Sequence, residues 1–473
     1  MTFRVYNALD KEKQDFVPRE RGRVRMYNCG PTVYGRIHVG NLRTFLFADV
    51  LRRWLEVLGY EVEQVMNITD VGHLQQDAEE GEDKLEAQAR KEKLDPRAIA
   101  EQYTAQFFAD VERLGVRKAK LYPRASDHVP EMLAIIEDLL KKGCAYQVGE
   151  DVYFDVARFP RYGRLSGNTV AELEAGARVE VREEKRHPAD FALWKSDARH
   201  LVKWATRFGP DGFPGWHIEC SAMAIKHLGQ ELDIHTGGED NVFPHHECEI
   251  AQSEAHTGKP FARYWMHAKF LQVDGGKMAK SLGNVYTLGD VEQRGYSPRA
   301  LRFALIRGHY RSPLDFTWKV MEDARGALEK LDDLAARLRR LARGEGAAPD
   351  GAAGHATLAA ARAKFEESLD DDLNMPQALS ALFELRSAVL ETPFGRQAAA
   401  EALEFLRRAD TVLGVIQLDE QELDARVQAL LAEREAARAR KDWKRSDEIR
   451  DEFLALGIVI EDTPAGPVWR RKA

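Results

Sequence analysis

The stretch 24-VRMYNCGPTVYGRIHVGNLRTFLFADVLRRWLEVLGYEVEQVMNI-68 changes its hydrophobic period twice. VRMYNC alternates as a strand does, NLRTFLFADVLRRWLEVLG repeats at helical spacing, and YEVEQVMNI alternates again after Gly59. A strand, a helix and a second strand in that order form a βαβ unit, which implies a parallel sheet and an α/β, Rossmann-like domain. Between the first strand and the helix, a loop containing Gly30, Pro31 and Gly35 delivers His38 and Gly40 to the helix start. Free amides and the positive end of the helix dipole attract phosphate there. The loop matches neither GxxxxGK[ST] nor GxGxxG, and HxGN alone reads more readily as a structural turn.

Outward from this unit, sheet-like runs resume at 231-ELDIHT-236 and 264-YWMHAKFLQV-273. The less regular residues 116–200, with short strands such as 151-DVYFDV-156, read as an insertion between two sheet halves. Past Asp315 the pattern is helical, as in 321-MEDARGALEKLDDLAARLRRLARG-344, and 344-GEGAAPDGAAGH-355 has the composition of a loop between helices. Another long helix is expected from Leu423 to Leu456, then a hairpin in 458-IVIEDTPAGPVWRRK-472.

A chain of 473 residues is long enough for roughly three domains. Its net charge of −8 requires any polyanion to be held by local basic patches. Four cysteines in a chain this long suit metal or thiol chemistry in a reducing compartment better than a disulfide framework. The first twenty residues hold no apolar signal segment, and no apolar run reaches the ~20 residues of a membrane span, so a cytoplasmic protein is expected.

Two further features carry chemistry. In 274-DGGKMAKSLGN-284, Lys277 and Lys280 sit in a Gly-flanked loop, where two ammonium groups suit a leaving pyrophosphate; alone, the same stretch reads as a solvated turn. Cys29, Cys220, His245 and Glu249 offer two thiolates, an imidazole and a carboxylate, a donor set that zinc favours. Cys248, three residues from His245, competes with Glu249 for that role.

Together HVGN and KMAKS resemble the HIGH and KMSKS signatures of class I aminoacyl-tRNA synthetases. The words 29-CGPTVY-34, 67-NITDV-71, 190-DFALWK-195, 214-PGWHIECSAM-223, 244-PHHECEIAQSE-254 and 308-GHYRSPLDF-316 narrow the resemblance to cysteinyl-tRNA synthetases, over nearly the whole chain. Asn41 stands where the second His of HIGH often is, Ala279 replaces the first Ser of KMSKS, and Thr236 stands where relatives carry glycine.

The resemblance implies activation of L-cysteine with ATP and Mg²⁺ and transfer to the 3′ end of tRNA(Cys). His38, Lys277 and Lys280 are then catalytic, and His38, Gly40, Asn41 and Lys280 bind ATP. Thr69, Trp216 and His235 line the cysteine pocket, with His246 able to orient a ligand from behind. One Zn²⁺ is held by Cys29, Cys220, His245 and Glu249, since relatives generally carry Asn at the position of Cys248. Zinc–thiolate bonding would separate cysteine from serine without an editing domain.

The implied division is 1–115 and 201–275 for the two halves of the catalytic domain, with 116–200 as the connective insertion. Residues 276–318 form the lysine loop and stem-contact region, 319–420 a helical bundle, and 421–473 a small anticodon-binding domain. Within the last, 434-REAARARKDWKR-445 mixes basic residues with Trp443; it reads as an RNA-gripping surface or as a salt-bridged solvated helix. A monomer is expected. Two other readings are a cysteine ligase that uses an amino sugar and a non-catalytic binder on the same scaffold. Retention of 441-KDWKRSDEIRDEFLALGIVIEDTP-464 speaks against the first, and intact His38, Lys277 and Lys280 against the second.

Overall fold

The structure, a computed structural model, describes residues 2–71, 83–168, 185–279, 282–418, 425–456, 458–463 and 466–471. The period changes of the opening stretch become the strand Arg23–Asn28, helix α1 (Val39–Val57) and the strand Glu61–Met66, and the two strands pair in parallel. The parallel sheet has four strands in the spatial order Ala262–Ala268, Leu232–Gly238, Arg23–Asn28 and Glu61–Met66. Chain order reverses between the two middle strands. The crevice beyond their carboxyl ends is therefore the switch point where open α/β sheets hold ligands. Cys29 is the first residue past one of these strands, and its amide donates to Thr236 O of the other at 3.0 Å.

Helix α1 is capped reciprocally: Asn41 N donates to His38 Nδ1 at 3.3 Å, and His38 N donates to Asn41 Oδ1 at 3.1 Å. It is buried on nearly every face rather than along one stripe, because the sheet covers one side and the helical bundle the other. Its buried charges are therefore paired. Asp49 Oδ2 accepts from Arg53 Nε at 2.8 Å and from Arg302 Nη2 at 2.7 Å, and Arg302 also donates to Leu413 O and Leu114 O. One apolar core runs from Phe3 through α1 to Ile416, so sheet and bundle are packed as a unit rather than tethered.

An antiparallel five-stranded sheet spans residues 145–214, running past residue 200 where the insertion was expected to end, and Phe154, Phe191, Leu193 and Trp194 belong to a second core. The bundle helices are Trp318–Ala342, Ala352–Asp370, Met375–Glu391 and Arg396–Leu413. Ala352 already begins a helix inside the stretch expected to be a loop. The C-terminal strands Ile458–Thr463 and Gly466–Arg471 form the expected hairpin. Among the described residues, no helix is long and apolar enough to cross a membrane.

Two expectations are corrected. The run 264–273 is not one strand: the chain leaves the parallel sheet at Lys269 and Phe270. Leu271–Val273 then pairs with Gly276–Lys277 and Leu314–Phe316 in a separate small sheet. Alternation records a strand's faces, not its partner, so a change of sheet leaves no trace in it. The single helix expected from Leu423 to Leu456 is two, Ala425–Ala439 and Trp443–Ala455, with residues 423 and 424 outside the described set. Lys441, at φ 62°, ends the first in the left-handed region, and Asp442 caps the second by accepting from Arg445 N at 3.1 Å.

Replacing Asp49 with Ala would leave two guanidinium groups in the core without their carboxylate. A loss of about 3–5 kcal/mol in unfolding free energy is expected. Denaturant titration checks this, and a loss below about 1 kcal/mol would show that the carbonyl acceptors alone satisfy the arginines.

Candidate metal centre and nucleotide site

Three chain segments converge at the switch point. Cys29 comes from the strand end, and Cys220 from the helix Trp216–Leu228. His245 comes from a wide turn at 242–246 that runs into the helix Glu247–Thr257, which carries Glu249. One donor atom from each of these four residues lies within 4.8 Å of all the others. Close backbone approach makes this possible: a Cβ on Gly30, beside Cys29, would sit 1.7 Å from Asn67 O.

Glu249 is held from two sides, with Oε1 3.0 Å from His245 Nε2 and Oε2 3.0 Å from His235 Nε2. Cys29 Sγ lies 4.0 Å from Glu249 Oε1 and 3.1 Å from His246 Nε2. Cys29, His235, His246 and Glu249 thus form a second, overlapping donor group. Outside these, His217 Nδ1 faces His245 Nδ1 at 3.0 Å and His246 Nδ1 faces His267 Nε2 at 2.8 Å. Each ring orients the next, as groups behind metal ligands do. Cys248 joins neither group: its Sγ lies 3.5 Å from Tyr162 OH, in the core beneath the insertion.

The electrostatics favour anionic donors. Burial alone would raise Glu249, but His235 and His245 pull it down to about 2. Burial opposes charge on His245, yet Glu249 and Cys220 raise it to about 10. The hydrogen bond from Cys29 lowers Cys220 to about 6, while burial raises Cys29 itself. Burial and neighbouring imidazoles depress His246, and burial, His235 and Lys269 bring His267 down to about 3, so both rings stay neutral. A thiolate and a carboxylate buried together beside His245, with the neutral rings of His246 and His267 behind, fit a borderline-soft divalent cation such as zinc.

The three expected pocket residues surround this group differently. Trp216 is half-buried and stacks on His245, with ring centroids 4.2 Å apart. Thr69 Oγ1 donates to Glu219 Oε2 at 3.1 Å and accepts from Asn67 Nδ2. His235 is fully buried behind Glu249 and stacked on Trp265. The Thr236 hydroxyl accepts from the Asn28 side chain.

Sequence reasoning passed over His217, His267 and Glu219. Glu219 is fully buried, its Oε1 has no hydrogen-bond partner among the described residues, and burial holds its carboxyl well above the usual range. The signal available was the density of chemistry-bearing residues in 216-WHIEC-220, of which only Trp216 and Cys220 were taken up.

The two phosphate stretches meet. A Cβ on Gly40 would lie 3.1 Å from the His38 ring and 3.4 Å from Met278 Cε, and Val39 N donates to Tyr286 O at 2.9 Å. Lys277 is exposed at the end of its short strand, whereas Lys280 lies outside the described residues. Asn284 frames the loop, accepting from Ala279 N at 2.8 Å and donating to Lys277 O at 3.1 Å. Ala279 contributes its amide to that frame, a role indifferent to its side chain.

At the C-terminal end, Arg434 is buried and Arg445 is engaged by Glu433, Glu448 and Glu452 at 2.9–3.2 Å. The salt-bridged reading holds for Arg445. Arg440, Lys441, Trp443 and Lys444 are exposed between the two helices, with Arg438 5.9 Å from the Trp443 ring centroid.

Comparison with known proteins identifies the family. The family model of the class I (C) tRNA synthetase catalytic domain matches residues 15–326. A DALR domain matches 364–417, and the cysteinyl-tRNA ligase anticodon binding domain matches 420–470. The cysteine–tRNA ligase of Chlorobium chlorochromatii is 46% identical over the full length of both chains. The chain belongs to the cysteine–tRNA ligase family.

The cysteine–tRNA ligase of Thermus thermophilus is likewise 46% identical over 98% of each chain. As a family member the protein is an enzyme, a class I aminoacyl-tRNA synthetase with ligase activity. Among solved structures, Mycobacterium tuberculosis methionyl-tRNA synthetase in complex with methionyl-adenylate aligns with a TM-score of 0.62. The alignment covers 83% of this chain and 92% of that one at 15% identity, a likeness of fold.

The donor geometry separates the two neighbouring cysteines of this ligase. Cys220→Ser should purify with little bound zinc, whereas Cys248→Ser should retain the wild-type stoichiometry. Elemental analysis of the purified variants checks both, and zinc loss on changing Cys248 would mean that the thiol beside Tyr162 is a ligand.

Proposed function

We propose that the ligase activates L-cysteine with ATP and transfers it to tRNA(Cys), selecting its substrate through a zinc ion held by Cys29, Cys220, His245 and Glu249. The observation that carries this is the buried four-donor group at the switch point, beside the paired stretches that carry His38 and Lys277. Bound zinc supplies a soft Lewis-acid centre that takes thiolate in preference to hydroxyl and lowers a thiol's pKa. Every other contribution belongs to the chain. Trp216 and Thr69 wall the cysteine pocket and exclude water and bulkier side chains, and His235 holds Glu249 from behind.

In the first step a carboxylate oxygen of cysteine attacks the α-phosphorus of ATP. The bond to the β-phosphate breaks, and pyrophosphate leaves with Mg²⁺. His38, Gly40 and Asn41 receive the phosphates at the start of α1, and Lys277 and Lys280 neutralise charge as pyrophosphate departs. In the second step a terminal ribose hydroxyl of tRNA attacks the activated carbonyl carbon and AMP leaves. Neither step needs a protein nucleophile, so positioning and charge stabilisation supply the rate. The exposed 440–444 segment, with Trp443 between basic residues, is the RNA-facing element of the C-terminal module, and its match to an anticodon-binding domain speaks against an amino-sugar acceptor. The enzyme acts as a cytoplasmic monomer.

Cysteine-dependent exchange between ATP and pyrophosphate, run beside serine before and after chelation, tests this reading. Exchange with cysteine should exceed that with serine by orders of magnitude, and chelation should abolish the preference; equal rates with the two amino acids would refute it. Lys280→Ala should lower the exchange kcat by about 10²–10³-fold with little change in cysteine KM, the pattern of an interaction made chiefly in the transition state. A loss confined to KM would contradict that role.

A further inference from the structure

A single buried arginine ties the phosphate-binding helix to the lysine hairpin. Arg43, five residues after His38 on α1, is 3% exposed. Its guanidinium makes five hydrogen bonds, all to backbone carbonyls of two segments. Nη1 donates to Lys269 O at 2.8 Å and Phe270 O at 2.9 Å, where the chain leaves the parallel sheet. Nη2 donates to His309 O at 3.2 Å, Tyr310 O at 3.4 Å and Ser312 O at 2.5 Å. Downstream of these carbonyls lie the strands Leu271–Val273 and Leu314–Phe316, which pair with each other, and the first of them pairs with the strand ending at Lys277. Asp315 Oδ1 accepts from Gly275 N at 2.9 Å and so holds the hairpin turn.

The same segment, 308-GHYRSPLDF-316, is gripped from its other side by the helical bundle. Asp372 is fully buried. Its Oδ1 accepts from Tyr310 OH at 2.6 Å and Tyr6 N at 2.8 Å, and its Oδ2 accepts from Arg311 Nε at 2.7 Å. The Tyr310 ring stacks on Phe47 of α1 at 4.3 Å, and Arg311 covers Tyr6 at 4.2 Å. Asp372 and Leu373 both occupy the left-handed region, at φ 61° and 55°. Two successive residues with side chains hold that conformation only where surrounding contacts over-determine it.

We propose that Arg43 and Asp372 are positioning residues that clamp segment 308–316 between α1 and the helical bundle, setting the place of the Lys277 hairpin relative to the start of α1. Both act through the segment they hold. The guanidinium hydrogen-bonds to carbonyls while the Glu239 carboxylate favours its charge, so it fixes backbone, and the backbone it fixes leads to the lysines. The proposal rests on the reading of Lys277 and Lys280 as phosphate-neutralising groups.

The test is a double-mutant cycle in the full-length enzyme. Arg43→Lys keeps the charge but loses the five-fold reach, and Asp372→Asn keeps the shape but loses the charge. Each should lower the ATP–pyrophosphate exchange kcat by about 10–100-fold, with cysteine KM and zinc content unchanged, and the double variant should lose much less than the product. Amide hydrogen exchange should quicken in residues 269–277 and stay as in wild type in the helix Trp216–Leu228. Tyr310→Phe, which removes one hydroxyl, should show a smaller version of the same pattern and serves if a charged-site variant does not fold. Multiplicative losses, unchanged kcat, or undisturbed exchange in 269–277 would overturn the clamp. Lys277→Ala and Lys280→Ala, run in parallel, report on the underlying reading: full activity there with a loosened hairpin in Arg43→Lys would refute the lysine role and leave the clamp standing.

Discussion

A thiolate and a carboxylate cannot be buried side by side in a protein without positive charge nearby, because each loses its hydration and each repels the other. Cys220 and Glu249 meet that constraint through His245, whose charged form they favour, while His235 hydrogen-bonds to the carboxylate from the other side. The outer imidazoles His217 and His267 serve a different need, facing His245 and His246 and fixing the orientation of rings that would otherwise rotate. The donor group is therefore built from the inside outward, and the rings behind the four candidate donors are as determined as the donors.

The sheet supplies the place. Neighbouring parallel strands separated widely in sequence end at one crevice, so Cys29 and the segment after Leu232–Gly238 arrive together. The insertion between them forms its own sheet and delivers the helix Trp216–Leu228, bringing Cys220 and Trp216 over the same crevice. Helix α1 links this centre to the nucleotide side: capped by His38, it carries Arg43 to the carbonyls that lead into the small sheet and Asp49 to Arg302, which in turn reaches Leu413 O of the bundle. A helix buried on nearly all faces has little freedom to shift. Shared apolar burial along its length is what makes catalytic sheet and bundle one packed body.

The α/β character, the parallel pairing of 24–28 with 62–66, the helical C-terminal third and the final hairpin were legible in the sequence, because each rests on local hydrophobic period or on turn residues. The four candidate donors Cys29, Cys220, His245 and Glu249 and the stretches around His38 and Lys277 were legible as residue types in recognisable words. Less was visible at 264–273, where the chain changes sheets without changing its alternation, and at 440–442, where one left-handed residue, Lys441, splits a helix that its neighbours' propensities would continue. Arg434 and Arg445 looked alike in sequence and differ in the fold, one buried and the other held by three carboxylates.

By itself the sequence determined which elements form and which side chains have the chemistry for a metal and for phosphate, since period, capping and donor type are properties of residues and their near neighbours. Only the tertiary structure decided that Glu249 and not Cys248 faces Cys29, that His217 and His267 stand behind the ligands, and that Arg43 spends its charge on five carbonyls. Those facts depend on which segments lie opposite one another across distances of tens to hundreds of residues, and burial and electrostatic pairing, which select among them, exist only once the chain has closed on itself.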